Sequence, residues 1–395
     1  MKKVYIDATM VVRGISYTGI PRVVMEVTKQ LNKSNLLDIE ILEYDEGRKK
    51  FRVINKDAFI ELCNDPDADR KHLRTDKRIG LSSLKEGSVF FDVDGIWKSK
   101  LNRSYLYPVL RKSGVKVITL IHDIIMVTHP QFCREDDILT FLEYIGAVML
   151  YSDRVIVTTK TTKNYLTKIY GEICRDKTLS EKKEFTEKIG IVPLGADFKK
   201  SNDDTADRAG SGSEKISHVK KPYLLMIGTV EPRKNQKLLV DAYDRGLKNL
   251  NMNVVIAGHQ GWHVEELLKR IEEHPKYNKG IYYINGASDE EIEELYKNCF
   301  ALAFPSHIEG YGLPIMEAMY HKAPLILSDT PINHEMAGDK ALYFGEDSPE
   351  ELIEIVENLL SDQKEYDRLK KASEGFKTPS WEQTGLLIEK EILAL

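Results

Sequence analysis

The chain has 395 residues, 42% hydrophobic and 9% aromatic, which is enough apolar material for two domain cores and argues against a disordered chain. Its mean hydropathy of −0.36 and the early Asp7 predict neither a membrane-spanning helix nor a secretory signal, and four scattered cysteines predict a cytoplasmic protein without disulfides or a zinc site. Residues 1–200 hold 35 Lys and Arg against 28 Asp and Glu, whereas the remainder is acidic. The basic half therefore either meets an anionic partner, such as a phospholipid surface or a phosphorylated substrate, or merely differs in surface charge.

Short apolar runs alternate with longer amphipathic ones along both halves. One helical face is predicted from the spacing of Ile20, Val23, Val24, Val27 and Leu31. Alternating strands and helices are typical of parallel sheets covered by helices on both faces, in which ligands bind beyond the carboxyl ends of the strands. The polar stretch 201–221 is predicted to join two such halves. The predicted strands are 4–7, 39–44, 88–91, 117–121, 154–157 and 189–192 in the front half, and 223–227, 253–257, 281–284, 301–304, 324–327 and 341–343 in the back half.

In the front half, two loops that follow strands contain candidate site residues. The segment 14–27, "GISYTGIPRVVMEV", joins a strand to a helix through glycines but lacks the nucleotide-binding patterns G-x-x-x-x-G-K-[ST] and G-x-G-x-x-G. His122 follows the apolar strand "VITLI" and would face the predicted crevice, although a lone histidine is more often structural.

A D-x-D pattern, a short motif that can contribute carboxylates to a metal site, occurs at Asp92 and Asp94. The same pattern also occurs within the polar segment 65–69, so a pattern this short does not discriminate a metal site from other polar loops. Because no His and carboxylate cluster completes a site, we predict no metal.

In the back half, the segment 223–243 contains two adjacent cations after a strand and a glycine. Arg233 and Lys234 in "EPRKN" fit a diphosphate, Arg through its fork and Lys as a point charge. Two solvated loop cations are the alternative.

The strongest candidate loop is the segment 304–319, "FPSHIEGYGLPIMEAM". Pro314 is placed to open a helix, and free N–H groups at a helix start favour phosphate or sugar oxygens. Glu309 precedes two glycines and Glu317 is expected in the first helical turn, so both carboxylates could accept hydrogen bonds from the hydroxyls of a ligand with two polyol rings. The alternative is a capped, solvated helix start.

Taken together, these motifs resemble the retaining glycosyltransferases of family 4. That family has the GT-B fold, an α/β fold of two Rossmann-like domains whose doubly wound parallel sheets face each other across a cleft. The resemblance runs in order through the glycine loop, "IHD", "VPLGAD", "IGTVEPRKN", "INGASDEEIEELY", "EGYGLPIMEAM" and "GDKALYF". It implies an acceptor-side domain over 1–205, a linker over 206–221, a donor-binding domain over 222–378, and a last helix at 379–395 that packs back on the first domain.

The resemblance also implies roles for individual residues. Arg233 and Lys234 would hold the donor's diphosphate and stabilise it as the leaving group. Glu309 would bind hydroxyls of the transferred sugar, and Glu317 those of the ribose. His122 would lie near the anomeric carbon. The other implied donor-binding residues are Gly19, which would let the first domain close on the phosphates, Ile284 and Gly286 beside the nucleobase, and Thr229, Gly310, Tyr311, Gly312 and Leu313 along the diphosphate and sugar.

Two positions depart from the family pattern. Thr229 stands where many members have arginine, which leaves one cation fewer for the phosphates. Lys322 stands where a glycine usually follows the helix that contains Glu317, so the local turn is in question.

The activity that the resemblance implies is metal-independent hexosyl transfer with retention of configuration and without a cofactor. "GTVEPRKN" together with "IHDII" is similar to bacterial mannosyltransferases that build surface polysaccharides. We therefore expect mannose to pass from GDP-mannose to a growing surface-polysaccharide or lipid-linked glycan, such as lipopolysaccharide or capsule. The basic front half would allow peripheral association with the inner face of the cell membrane, and no nucleic-acid partner is expected.

Three alternatives remain open from the sequence. The same fold could use a UDP- or dTDP-sugar, or it could bind a sugar nucleotide without catalysis. An NAD-dependent oxidoreductase would need a glycine fingerprint followed by an acidic residue about 20 positions later, which neither half supplies.

Overall fold

The computed structural model describes residues 1–14, 19–65, 68–197, 215–374, 376 and 378–395. Its contacts divide the chain into a first unit, Met1–Gly195 with Pro379–Leu395, and a second unit, Ala196–Thr378. The predicted domain boundary at 205 and the predicted linker residues 206–214 lie outside the described residues, as does most of the front glycine loop, 15–18. Within the described ranges, no helix is sufficiently long and apolar to cross a membrane.

The first unit is built on a mixed sheet. Its strands are β1 (Lys2–Asp7), β2 (Leu37–Asp45), β3 (Lys50–Ile54), β4 (Arg74–Ile79), β5 (Val89–Asp92), β6 (Lys116–Ile121), β7 (Arg154–Val157) and β8 (Ile189–Ile191). Its helices are α1 (Thr9–Arg13), α2 (Ile20–Asn32), α3 (Lys56–Asn64), α4 (Arg103–Lys112), α5 (Ile125–Thr128), α6 (Glu135–Tyr151), α7 (Lys160–Ile173) and α8 (Leu179–Glu187).

The strand order of this sheet is β4-β3-β2-β1-β5-β6-β7-β8 over the residues described. The neighbouring strands β2, β1, β5, β6, β7 and β8 pair in parallel, as predicted. The strands β3 and β4 were not predicted, and they extend the sheet beyond β2 by antiparallel pairing. The charged sequence of β4, "RTDKRI", is typical of an edge strand that faces solvent and has no apolar alternation to reveal it.

The helix predicted around Ile20 is confirmed as α2. Its side chains Val23, Val24, Val27 and Leu31 are almost fully buried, and each contributes about 1.5–3 kcal/mol through removal from water.

The second unit is built on a parallel sheet. Its strands are β9 (Tyr223–Ile227), β10 (Asn253–Ala257), β11 (Ile281–Ile284), β12 (Ala301–Phe304), β13 (Leu325–Ser328) and β14 (Ala341–Phe344), in the order β11-β10-β9-β12-β13-β14. Its helices are α9 (Gln236–Arg245), α10 (Glu265–Glu272), α11 (Asp289–Asn298), α12 (Leu313–Tyr320), α13 (Pro331–Ala337), α14 (Pro349–Ser361) and α15 (Gln363–Glu374).

The last helix, α16 (Trp381–Leu393), packs within the first unit. Gly385 lets it approach α2 closely, because a Cβ at this position would lie 2.4 Å from Cβ of Gln30. Glu391 accepts hydrogen bonds from Nε and Nη2 of Arg154 at 2.5 and 2.9 Å. Thr384 donates to the carbonyl oxygen of Pro193 at 2.9 Å.

Candidate functional site

The strand order of the second unit reverses between β9 and β12. From this pair, β10 and β11 extend the sheet on one side, and β13 and β14 on the other. The loops that follow β9 and β12 are therefore neighbours at the carboxyl edge of the sheet, where doubly wound folds bind ligands. The backbone N–H of His307, in the loop after β12, donates to the backbone carbonyl oxygen of Arg233, in the loop after β9, at 2.8 Å. This hydrogen bond joins the two loops.

The loop after β9 holds Arg233 and Lys234 in a short 3₁₀ turn, Pro232–Lys234. Asn235 ends the turn in the left-handed region, with φ 52°, a conformation that asparagine tolerates better than most residues. Its side chain donates to the carbonyl oxygen of Glu346 at 2.9 Å. The sequence "PRKN" thus encodes a fixed turn that orients both cations.

The two cations converge on Glu309. Lys234 Nζ lies 2.6 Å from Oε1 of Glu309, and Nη1 of Arg233 lies 2.8 Å from Oε2. The guanidinium also reaches back to Glu231, with Nη2 2.6 Å from Oε1. Burial alone would raise the pKa of the Glu309 carboxyl, but the charges of Arg233 and Lys234 outweigh it and lower the pKa to about 2. Glu309 is therefore ionised at neutral pH.

Lys234 is buried at the base of this cluster. Its Nζ lies 4.8 Å from the ring centroid of Phe304, within range of a cation–π contact. Gly228 packs beside it with φ 138°, a backbone conformation that favours glycine. The carbonyl oxygen of Thr229 accepts a hydrogen bond from Gln236 at 2.9 Å.

The cluster Glu231–Arg233–Lys234–Glu309 balances two positive charges against two negative ones. If Glu309 turned away, a guanidinium and an ammonium group would face an incoming anion. Phosphate oxygens suit these donors, and fixed cations in a buried site stabilise charge that develops on a leaving group. The geometry is thus compatible with diphosphate binding in exchange for Glu309.

The second loop leads into α12. Gly312 is the N-cap residue with φ 83°, which favours glycine, and Pro314 follows at the second helical position. Gly310 and Leu313 are half-buried, and Tyr311 is buried.

Glu317 is the fifth residue of α12, so the prediction that it lies in the first turn is wrong, because the helix begins at Leu313. Its Oε2 accepts a hydrogen bond from the hydroxyl of Tyr296 at 2.9 Å, and the carboxylate is buried. Its partner Tyr296 belongs to α11, whereas the cationic partners of Glu309 belong to the loop after β9.

Ile284 and Gly286 lie at the end of β11, on the outer side of β10. Ile284 is buried, and Gly286 has φ 66°. The carbonyl oxygen of Gly286 accepts a hydrogen bond from Lys215 Nζ at 2.5 Å, and a Cβ on this glycine would lie 3.5 Å from His259. Their contact with a nucleobase stays a prediction.

The first unit holds the other two predicted site residues. Gly19 is the N-cap residue of α2 with φ 58°, a value that favours glycine. His122 follows β6, and its Nε2 lies 2.7 Å from the carbonyl oxygen of Val93. Because a carbonyl only accepts, Nε2 carries the hydrogen of the neutral ring. Burial lowers the pKa of His122 to about 4, although the bond to Val93 opposes this shift, so the ring is neutral at pH 7.

The D-x-D residues of the first unit are held by protein groups. Oδ2 of Asp92 accepts from Arg103 Nε at 2.7 Å and from the Tyr107 hydroxyl at 2.6 Å. Asp94 accepts from backbone N–H groups of α1. In the part of the chain that the structure describes, no group of three His, Cys, Asp or Glu side chains is arranged to hold a metal ion.

Sequence reasoning missed Glu231 and Tyr296. Both stand within motifs that resemble the family, Glu231 two positions before Arg233 and Tyr296 at the end of "INGASDEEIEELY". The turn at Lys322 is now explained, because this residue itself adopts φ 61°, the conformation that glycine usually supplies.

Comparison with known proteins supports the resemblance. Residues 212–376 match the family model described as "Glycosyl transferases group 1". The chain is 26% identical over 403 residues to the serotype-specific mannosyltransferase WbdA of Escherichia coli, covering 99% of this chain and 46% of that protein. It is also 34% identical over 122 residues to the O-antigen chain mannosyltransferase B of Escherichia coli, covering 30% of this chain and 32% of that protein. The chain thus spans about half the length of WbdA.

Solved structures match over the whole chain. Anabaena Alr3699/HepE in complex with UDP superposes with a TM-score of 0.68 at 12% identity, covering all of both chains. WaaG, a glycosyltransferase involved in lipopolysaccharide biosynthesis, superposes with a TM-score of 0.56 at 12% identity, covering 99% of each chain. These matches confirm the predicted α/β GT-B fold class.

Proposed function

We propose that this chain, whose residues 212–376 match the family model of the glycosyl transferases of group 1, is a retaining mannosyltransferase that uses GDP-mannose and needs no metal. The acceptor is a growing surface-polysaccharide or lipid-linked glycan. The observation that carries the proposal is the convergence of Arg233, Lys234 and Glu309 at the strand-order reversal of the second unit.

The chemistry of transfer matches these groups. Cleavage of the glycosidic bond to phosphate places negative charge on the departing diphosphate, which Arg233 and Lys234 would stabilise. One such donor is typically worth ~3–4 kcal/mol. Glu309, released from the cations, would accept hydrogen bonds from sugar hydroxyls. The acceptor's proton passes to the departing phosphate, so no protein base is required.

The choice of mannose rests on the relatives. WbdA and the O-antigen chain mannosyltransferase B are named as mannosyltransferases, and the latter is similar to this chain at 34% identity over its aligned part. The structural neighbour HepE was solved with UDP, so a UDP-sugar is the competing donor. The fold similarity alone does not choose between them.

The donor is identified by slow hydrolysis. The protein is incubated with GDP-mannose, UDP-glucose, UDP-galactose and a dTDP-sugar, and mass spectrometry follows the release of nucleoside diphosphate. We expect release from GDP-mannose, unchanged in excess EDTA. Release from a UDP- or dTDP-sugar alone would refute GDP-mannose as the donor. No release and no transfer from any of these nucleotide sugars would refute catalysis.

Variants test the roles of the site residues. Arg233→Ala, Lys234→Ala and Glu309→Ala should each reduce release at least ~100-fold, whereas the surface variant Glu350→Gln should not. NMR of the glycan product should give an α-linkage from the α-configured donor. A β-linked product would contradict retention.

The acceptor and the membrane are tested together. Residues 1–200 carry a formal net charge of +7, which would attract anionic lipid headgroups. We expect co-sedimentation with phosphatidylglycerol vesicles that weakens with salt, and faster transfer to lipid-linked glycans than to free mannose. No binding to vesicles and equal transfer to both acceptors would contradict this part of the proposal.

A further inference from the structure

We infer that Asp94 is a positioning residue of the first unit, which holds α1 and the ring of His122 in place for the proposed transfer reaction. Its carboxylate fixes the start of α1, and the adjoining Val93 fixes the ring of His122. The inference rests on the proposed function, because its assay is sugar transfer.

Asp94 lies where the strand order of the first unit reverses. β1 and β5 are neighbours, and the chain adds strands outwards from them in opposite directions. Asp94 follows β5 at the carboxyl edge, and α1 follows β1 at the same edge. Asp94 is 2% exposed, so its carboxylate is held by protein groups rather than water.

The carboxylate caps α1 from a distant part of the chain. Oδ2 accepts from the N–H groups of Met10 at 2.6 Å and Val11 at 2.9 Å, and Oδ1 accepts from that of Gly95 at 2.7 Å. The N-cap residue of α1 is Ala8, whose methyl group cannot accept a hydrogen bond. Asp94 thus satisfies helix N–H groups that the local sequence leaves open.

The same segment holds His122. The carbonyl oxygen of Val93 lies 2.7 Å from Nε2 of His122, and Val93 is fully buried. This contact selects the tautomer and fixes the plane of the ring. A shift of the Val93–Asp94 segment would therefore move the imidazole and α1 together.

A buried charge network lies at the ends of β5 and β1, next to this segment. Arg103 donates to Asp92 Oδ2 at 2.7 Å and to Asp7 Oδ2 at 2.5 Å. Asp7 also accepts from the N–H and hydroxyl of Thr9, the first residue of α1. The network thus joins the ends of β1 and β5 and contacts the first residue of α1 through Asp7, while Asp94 binds the N–H groups of the next two residues.

The protonation of Asp94 offers an independent readout. Burial and the nearby charge of Asp7 raise the pKa of Asp94 to about 7, although its N–H partners oppose the shift. The other charged or titratable groups around it are Asp92, Arg103, Tyr144 of α6 and, through Val93, His122. Above pH 7 the ionised carboxylate accepts from α1, and below it one oxygen becomes a donor, so the contact weakens.

The test compares Asp94→Asn with Asp153→Asn. Asp153 is a matched control, because its carboxylate also accepts from a backbone N–H, that of Val117 at 2.8 Å, but at the opposite edge of the sheet. In Asp94→Asn we expect kcat for transfer to fall at least ~10-fold, GDP affinity to stay within about twofold, and the amides of Met10 and Val11 to exchange faster. In Asp153→Asn, kcat should stay within about twofold of the wild type.

Equal kcat losses in the two variants, or a folded Asp94→Asn protein with wild-type kcat, would overturn the inference. If Asp94→Asn fails to fold, the pH dependence of hydrogen exchange in the wild-type protein tests the inference instead. The exchange protection of Met10 and Val11 should then fall between pH 8 and 6, and unchanged protection would overturn the inference. A wild-type protein without any transfer would instead refute the proposed function.

Discussion

Glu309→Gln should loosen the second unit and at the same time strengthen its binding of GDP. The substitution keeps the shape of the side chain but removes the charge that lies 2.6 Å from Lys234 and 2.8 Å from Arg233. Removal of one partner from a buried ion pair typically costs about 3–5 kcal/mol. The Arg233 side chain is 20% exposed, so we place the loss near the lower end, about 3 kcal/mol.

Such a loss should be visible in thermal unfolding. For a unit of this size, about 3 kcal/mol corresponds to a drop in the melting temperature of roughly 6–12 °C. A diphosphate would restore the missing negative charge without having to displace Glu309. We therefore expect GDP to bind Glu309→Gln at least about tenfold more tightly than the wild type, a difference of about 1.4 kcal/mol, while transfer is lost.

Differential scanning fluorimetry with and without GDP, together with isothermal titration calorimetry, measures both effects. Glu350→Gln is the control, because its ion pair with Arg245 is exposed on both sides and screened by water, so its loss should leave the melting temperature nearly unchanged. A Glu309→Gln protein as stable as the wild type, with equal or weaker GDP affinity, would refute the idea that Glu309 occupies the diphosphate site.

Three further predictions concern single residues. The pKa of His122 in the folded protein is about 4, below its ordinary value of about 6.5, so the unfolded chain takes up a proton first as the pH falls. The folded state should therefore lose about 3 kcal/mol of stability between pH 6.5 and pH 4. Urea unfolding of His122→Gln, which keeps an N–H donor for Val93, should lack this loss, and an equal pH dependence in both proteins would contradict it. Tyr296→Phe should cost about 1–3 kcal/mol in urea unfolding and weaken GDP binding through Glu317, whereas an unchanged denaturation midpoint would exclude a role for this hydrogen bond. Lys322→Gly should leave the protein as stable or raise its stability by up to ~1 kcal/mol, because φ 61° is unfavourable for lysine, and a lower melting temperature would contradict the argument.

The parts of the site that could be predicted are those encoded in short segments. Glycine and proline mark the turn before α12, and "PRKN" marks the loop after β9, because these residues have strong local conformational preferences. The order of strands and helices placed both loops at one edge of the sheet. Local sequence was sufficient for these features.

The features that were missed depend on distant partners. Asp94 and Met10 are 84 positions apart, so the D-x-D pattern could not reveal that its carboxylate caps a helix. The pairing of Glu309 with both cations depends on how two loops meet, and the sequence alone indicated only that they are neighbours. The edge strand β4 is charged and therefore has no apolar period.

The most direct measurement of the central claim compares the affinities of GDP, GMP and guanosine in the wild type and in Arg233→Ala/Lys234→Ala. If the two cations hold a diphosphate, the wild type should bind GDP much more tightly than GMP or guanosine, and the double variant should lose most of that preference. Calorimetry that finds the same preference for GDP in both proteins would contradict the assignment of Arg233 and Lys234.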